Sequence, residues 1–335
     1  MTDDAPGPRS LATDLLTGGL RDAATGTAKA VTAVGVCVLA GVLVAALTIP
    51  LVAGVGVAAK TSADGFLELP AEFDVPTPAQ RTTILARDGS LITYLYVQNR
   101  VPVPLERVPP HVRNAFIAVE DERFYEHNGV DVKGSLRAAI ENATSRAVRQ
   151  GGSTLTQQYV KNALVASAKT PEDVERATEQ TVERKLREAR LALALERRMS
   201  KDEILRRYLN LAYFGNGVYG VGTAAGFYFS RPVEELTVAE GAMLAGIVQR
   251  PAAHDPLDDL AGAVYRRDLV LRRMHDAGFV DGQQLVAALD EPPDLRPSPV
   301  GSGCEAPGTR APFFCDYVRR ALEDGPLGAA LGEDR

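Results

Sequence analysis

Four clusters in this chain carry residue types that could do chemistry. The first, Glu120-Asp121-Glu122-Arg123-Phe124-Tyr125-Glu126-His127-Asn128-Gly129, sets carboxylates beside Val119, Phe124 and Tyr125. Apolar bulk next to a carboxylate desolvates it and raises its pKa toward the range a general base needs, although such a run taken alone also reads as a solvated helix end. The second, Gln150-Gly151-Gly152-Ser153-Thr154-Leu155-Thr156-Gln157-Gln158 with Lys161 and Asn162, opens a helix behind a glycine pair. Exposed N–H groups at such a start favour phosphate or sugar oxygens. In the third, Arg184-Lys185-Leu186-Arg187-Glu188, a carboxylate sits one turn from Arg184. It is either an ordinary surface pair or a carboxylate held among cations that suit a pyrophosphate. The fourth runs from Tyr208-Leu209-Asn210 through Tyr213 to Gly220 and is aromatic and glycine-rich, which packing alone could explain.

The elements that must position these clusters are mostly helical. From Pro109 to Leu289 helix starts are well marked: Ser200 with Glu203 and Thr237 with Glu240 have capping-box spacing, and Thr170-Pro171 begins another helix. One long helix is expected from Pro171 toward Arg198, with Thr178, Val182, Leu186, Ala189 and Leu193 facing a core and Leu191 and Leu195 covered on the other side. Before this region, TTILA and LITYLYV flank Asp88-Gly89 and read as a short β-hairpin. After it, Glu291 to Thr309 is rich in Pro, Gly and Ser and reads as a linker, followed by a closing amphipathic helix from Ala311 to Leu322.

From Ala30 to Ala59 no charged residue occurs, a length that spans about 30 Å of hydrocarbon as a helix. The run exceeds the apolar core of a cleaved signal peptide and follows a long polar leader. Arg9, Arg21 and Lys29 precede it, so the N-terminus is expected in the cytoplasm and the bulk outside. In that compartment a disulfide persists, and a Cys304–Cys315 bridge is expected, with Cys37 inside the span.

Composition narrows the classes further. The 335 residues are 45% hydrophobic and 24% charged, which excludes disorder throughout. A net charge of −6 gives no global polycation, so no nucleic-acid partner is expected. Four scattered histidines show no zinc spacing.

In order and spacing the clusters resemble the family 51 peptidoglycan glycosyltransferases, the polymerase domain of class A penicillin-binding proteins. The likeness covers about Leu105 to Met274: EDERFYEHNG, QGGSTLTQQ, RKLRE and KDEILRRYLN match four family elements, and Ala263 to Met274 with Arg266-Arg267 a fifth. His254-Asp255-Pro256 stands where the family usually has Tyr-Asn-Pro.

The resemblance implies a mainly α, lysozyme-like glycosyltransferase domain with a small membrane-proximal lobe, preceded by one transmembrane helix. The expected layout is a cytoplasmic tail (1–29), a transmembrane anchor (30–59), a membrane-proximal linker with the hairpin (60–104), the glycosyltransferase domain (105–290) and a linker toward an absent transpeptidase domain (291–335). The implied reaction polymerises lipid II into glycan strands. A GlcNAc 4-hydroxyl attacks the anomeric carbon of the donor MurNAc, and undecaprenyl pyrophosphate leaves with inversion. Glu120 would be the general base, and Glu188 would assist the leaving group directly or through a divalent cation, Mg or Mn. Lys161, Arg184 and Lys185 would meet the pyrophosphate, and Ser153, Thr154, Gln157, Gln158, Asn162 and Asn210 would bind substrate. No organic cofactor is implied. The implied partners are lipid II, the growing glycan strand, the cytoplasmic membrane, and division or elongation machinery.

A transpeptidase would need Ser-x-x-Lys and Lys-Thr-Gly, and neither occurs. Penicillin binding is therefore not expected of this chain, which reads as a fragment of a longer one. Two other readings compete: a lysozyme-like hydrolase or lytic transglycosylase, disfavoured because it has no pyrophosphate for the cations to hold, and a silent membrane-anchored scaffold.

Overall fold

The structure is a computed structural model that describes residues 34, 37–46, 60, 65–66, 77–134 and 152–323. The chain divides into two compact units, Met1–Glu68 and Leu69–Arg335. In the first, residues 37–46 are helical and expose Val38, Leu39, Val42 and Leu43. No helix among the described residues is long and apolar enough to cross a membrane, and the larger part of the expected 30–59 anchor lies outside them.

The second unit is mainly α. It opens with β1 (Thr82–Leu85) and β2 (Leu91–Leu95), an antiparallel hairpin whose turn uses Gly89 at φ 81°. A two-residue β3 (Asn99–Arg100) follows, and then α1 (Pro110–Glu120), which begins with Pro at its first position. Next come α2 (Leu155–Ala166), α3 (Pro171–Thr178), α4 (Val182–Glu196) and α5 (Lys201–Leu211). β4 (Val218–Tyr219) pairs in parallel with β3 and leads into α6 (Val221–Phe229) and α7 (Val238–Val248). The chain closes with α8 (Leu260–Asp276), α9 (Gly282–Asp290) and α10 (Pro312–Glu323).

Two helical groups meet over one core. α1 packs on α7 and α8, while α2 packs on α4 and α5. α7, buried from Ala239 through Ile247, is apolar on every side beyond the capping Glu240, as a central helix must be. Phe116 of α1 joins the groups, meeting Tyr208 of α5 edge-on at 6.5 Å and Phe214 at 6.1 Å.

Two helix expectations need correction. The long helix is two helices: Glu179 is extended and the Thr181 hydroxyl accepts from Arg184 N–H, so the break carries its own N-cap. The buried face of α4 is Glu188, Leu191, Ala192 and Leu195, whereas Thr178, Val182 and Leu186 are exposed. α2 covers the face that carries Glu188, so the opposite stripe is left outside. Thr237 and Glu240 form a reciprocal capping box. Ser200 caps α5, but the Glu203 carboxylate turns to Arg206 and Arg207 rather than back to the cap.

The expected linker is tied to the body. Arg267 donates to the carbonyls of Leu289 and Glu291, and Arg296 and Ser298 N–H bond to Tyr228 and Phe227 carbonyls. Farther on, Gly303 N–H donates to Tyr94 O and Arg310 N–H to Ile92 O, so the tail lies against β2. A Cys304–Cys315 disulfide closes this segment over a small second core with Ile84 and Ile92.

Candidate active site

Glu120 ends α1 at the floor of a cleft of about 1130 Å³. Its Oε2 accepts from Gln158 Nε2 at 2.8 Å, while Oε1 is shielded from solvent and accepts nothing. Burial holds this carboxyl above the ordinary Glu range, against the lowering effects of the Gln158 hydrogen bond and of Arg266, Arg273 and Lys161. A desolvated carboxylate oxygen without a partner, on a residue that lines a cleft, is a proton acceptor in waiting.

Within the rest of the run, Asp121, Phe124 and Gly129 hold the structure together, while Glu122 and Arg123 also line the cleft. Asp121 shares one hydrogen bond from His127 Nε2 between its two oxygens and accepts another from Leu155 N–H at 2.9 Å, anchoring the start of α2 beside Glu120. Phe124 is fully buried under Lys201, whose Nζ lies 4.4 Å from the ring centroid. Gly129, at φ 91°, crosses α4 so closely that a Cβ would meet Ala192 O at 2.8 Å. No other residue fits there without moving that helix.

The polar row that opens α2 divides by side. Gln157 completes a capping box with Thr154, and the Thr156 hydroxyl donates to Glu196, so neither side chain faces the cleft. Thr154 and Gln158 do reach it, with Ser153, Lys161 and Asn162. The Thr154 hydroxyl is itself spent on Gly129 O at 2.6 Å.

On α4, Glu188 is 3% exposed and paired twice: Oε2 with Arg184 Nη1 at 2.5 Å and Oε1 with Lys185 Nζ at 2.8 Å. Lys185 Nζ also donates to Ser153 Oγ at 2.5 Å, which joins the third cluster to the second. The surface-pair reading of Arg184 and Glu188 thus fails, because that carboxylate is buried. Lys161 stands in the fields of both Glu188 and Glu120, and burial lowers its pKa against that attraction. Of the three expected cations only Lys161 lines the cleft; Arg184, Lys185 and Glu188 stand behind its lining and are joined to it by the Lys185–Ser153 hydrogen bond.

Asn210 corrects the expected substrate set. Its Oδ1 accepts from Val103 N–H, and Nδ2 donates to the carbonyls of Val103 and Arg206, each at 2.8 Å. It is a buried clamp between α5 and the strand-to-helix connection, outside the cleft lining. Gln157 also lies outside the cleft lining, its Oε1 accepting from Thr154 N–H in the cap.

One side of the cleft had no assigned role in the sequence. Arg266 of α8 is 9% exposed, lines the cleft, and has Nε and Nη2 shielded without partners. Gly246 makes room for it, since a Cβ there would lie 3.0 Å from Arg266 Cγ. Arg273 donates to Val119 O, and His254 is pushed toward its neutral form by burial and by Arg266 and Arg250. The Arg266-Arg267 pair was the available signal, but adjacency hides that only Arg266 faces in, while Arg267 binds tail carbonyls.

A family model described as Transglycosylase matches residues 88–275. Penicillin-binding protein 1F of Bacillus subtilis is 41% identical over 205 residues, covering 61% of this chain and 27% of that protein. Penicillin-binding protein 1A of Mycolicibacterium smegmatis is 44% identical over 214 residues, covering 63% and 26%. A crystal structure of penicillin-binding protein 1A from Haemophilus influenzae aligns with a TM-score of 0.40 at 24% identity, over 76% of this chain and 26% of its own. The chain spans about a quarter of the length of these relatives. With the family match extending over more than half its residues and over all the lining of the Glu120 cleft but Asp276, the chain belongs to the transglycosylase family.

Proposed function

We propose that this chain is a peptidoglycan glycosyltransferase that polymerises lipid II at the outer face of the cytoplasmic membrane. The observation that carries the reading is Glu120 Oε1, a desolvated carboxylate oxygen without a partner, on a residue that shares one cleft with Lys161 and Ser153; behind that lining Ser153 Oγ accepts from Lys185, which is paired with Glu188 beside Arg184.

In this reading the GlcNAc 4-hydroxyl of the acceptor gives its proton to Glu120 Oε1 as its oxygen bonds to the donor's anomeric carbon. The bond from that carbon to the pyrophosphate oxygen breaks on the opposite side. The electron pair leaves with undecaprenyl pyrophosphate, where Lys161, Arg184 and Lys185 offset the growing negative charge. Glu188 keeps the two α4 cations in place. Ser153, Thr154, Gln158 and Asn162 line the donor side.

The protein donors do not fit a resident divalent cation at Glu188. Both of its oxygens are taken by Arg184 and Lys185, and no cluster of three His, Cys, Asp or Glu side chains occurs among the described residues. A Mg or Mn ion belongs to the proposal only as one carried in by the pyrophosphate, and no step runs through it.

The lysozyme-like architecture, the single 30–59 anchor, the membrane-proximal lobe (60–104) and the 291–335 connection toward a further domain are parts of the same proposal. Tethering suits a substrate whose prenyl chain costs about 0.8 kcal/mol per methylene to withdraw from a bilayer. Contacts with division or elongation proteins would follow from that location.

The test is chain growth from fluorescent lipid II by the detergent-solubilised chain, run beside digestion of purified cell wall. Glycan ladders without wall clearance support the polymerase. Clearance without ladders would replace it with a hydrolase, and a folded chain that does neither would favour the scaffold.

A further inference from the structure

We propose that Tyr208 is a positioning residue for Glu120 that acts through Gln158, fixing which end of the Gln158 amide meets the carboxylate. The inference rests on the reading of Glu120 as the base. Tyr208, on α5, is fully buried, and its ring is held edge-on by Phe116. Its hydroxyl donates to Gln158 Oε1 at 3.3 Å, while Gln158 Nε2 donates to Glu120 Oε2 at 2.8 Å. No other hydrogen bond engages the Tyr208 hydroxyl among the described residues.

An amide side chain can turn over about its last bond, exchanging its donor and acceptor ends with little change in shape. Facing a carboxylate, only the N–H₂ end is favourable, and a single contact with Glu120 selects it while Glu120 is ionised. Once Glu120 has taken a proton, it can donate as well as accept and no longer discriminates. Tyr208 supplies the missing constraint from the other end, because a phenol set to donate requires Oε1 toward itself. Burial and the nearby Glu120 and Asp121 push the phenol pKa well above its ordinary value, so the hydroxyl remains a donor at any working pH.

Two consequences follow for the base. Oε2 stays occupied in every turnover, so Oε1 is the oxygen that accepts the proton. The carboxyl plane is also held against a rigid core rather than against a mobile side chain, which is what a proton transfer of defined geometry needs. A phenylalanine would fill the core equally well, so packing alone does not account for the hydroxyl.

The test is Tyr208→Phe in the full chain in detergent, read by carbon-detected NMR titration of the Glu120 carboxyl and by lipid II turnover. Besides Tyr208 itself on α5, the charged and polar groups acting on Glu120 are Lys161 and Gln158 from α2 and Arg266 and Arg273 from α8. The substitution alters none of them. The Gln158 hydrogen bond is one of the effects drawing the Glu120 pKa down, so loosening it moves the titration midpoint up. The acid limb of kcat moves the same way. We expect kcat to fall by up to about tenfold, the worth of one neutral hydrogen bond, with KM and melting temperature close to the parent's. In a Gln158→Ala background Tyr208→Phe should add nothing further.

An unmoved Glu120 titration, or an equal loss in both backgrounds, overturns the proposal. The titration requires no turnover. A chain that polymerises nothing but shows the shift would therefore sink the glycosyltransferase reading and leave the Tyr208 relay standing, whereas active polymerisation with no shift does the reverse.

Discussion

Glu120→Gln exchanges one oxygen for an amide nitrogen and removes a negative charge from a place where burial outweighs the pull of Arg266, Arg273 and Lys161. A shielded acceptor left without a partner costs about 1–3 kcal/mol, and more when it is charged. Oε1 is such an acceptor. The neutral amide keeps an acceptor for Gln158 and loses the charge, so at neutral pH the variant should be more stable by about 1–2 kcal/mol. For a domain of this size that raises Tm by roughly 2–8 °C. The sign follows from linkage. A carboxyl whose folded pKa is raised binds its proton more readily when folded, so its penalty is absent below the unfolded Glu value of 4.5. The penalty grows as pH climbs from there through the folded value and is complete above it. Thermal melts followed by circular dichroism at about pH 8 and about pH 4 should show a gain at the first and none at the second. A variant equal to or weaker than the parent at both would refute the claim that this carboxylate is held ionised at a cost to the fold.

Glu188 should behave oppositely. Removing its charge by Glu188→Gln strands Arg184, whose side chain is 13% exposed, and should lower stability by about 3 kcal/mol, seen as an earlier urea midpoint. Asn210→Ala removes three buried hydrogen bonds and should cost about 2–3 kcal/mol with KM for lipid II unchanged. A raised KM at parental stability would return Asn210 to the substrate set. Cys304→Ser should speed hydrogen exchange at Gly303 and Arg310 N–H, whose partners lie on β2, without touching polymerisation, and exchange unchanged at both would mean the bridge does not hold the tail.

How much of this was legible in the sequence depended on how local the determining physics was. The hairpin turn at Asp88-Gly89 and the caps at Thr170 and Thr237 need only neighbours in the chain, and they stand where the pattern put them. The face of α4 was misread because its apolar stripe and its buried stripe differ. A carboxylate takes the inward position there, and periodicity counts it as polar. The polar row Thr156, Gln157 and Gln158 looked uniform, yet the cap consumed Gln157, Glu196 took Thr156, and only Gln158 reached Glu120. Asn210 failed for a related reason, since its partner Val103 is 107 residues away. Arg266 could be seen as a charge but not as an inward one, because that depends on Gly246 of another helix.

Whether Glu120 takes the acceptor's proton is decided by the pH profile of lipid II polymerisation, measured on the parent and on Glu120→Gln. The parent should show an acid limb governed by a group above the ordinary Glu range, and the variant should lose that limb along with about 10²–10⁴-fold of the rate. A Glu120→Gln chain that keeps the parent's rate and its acid limb would contradict the assignment.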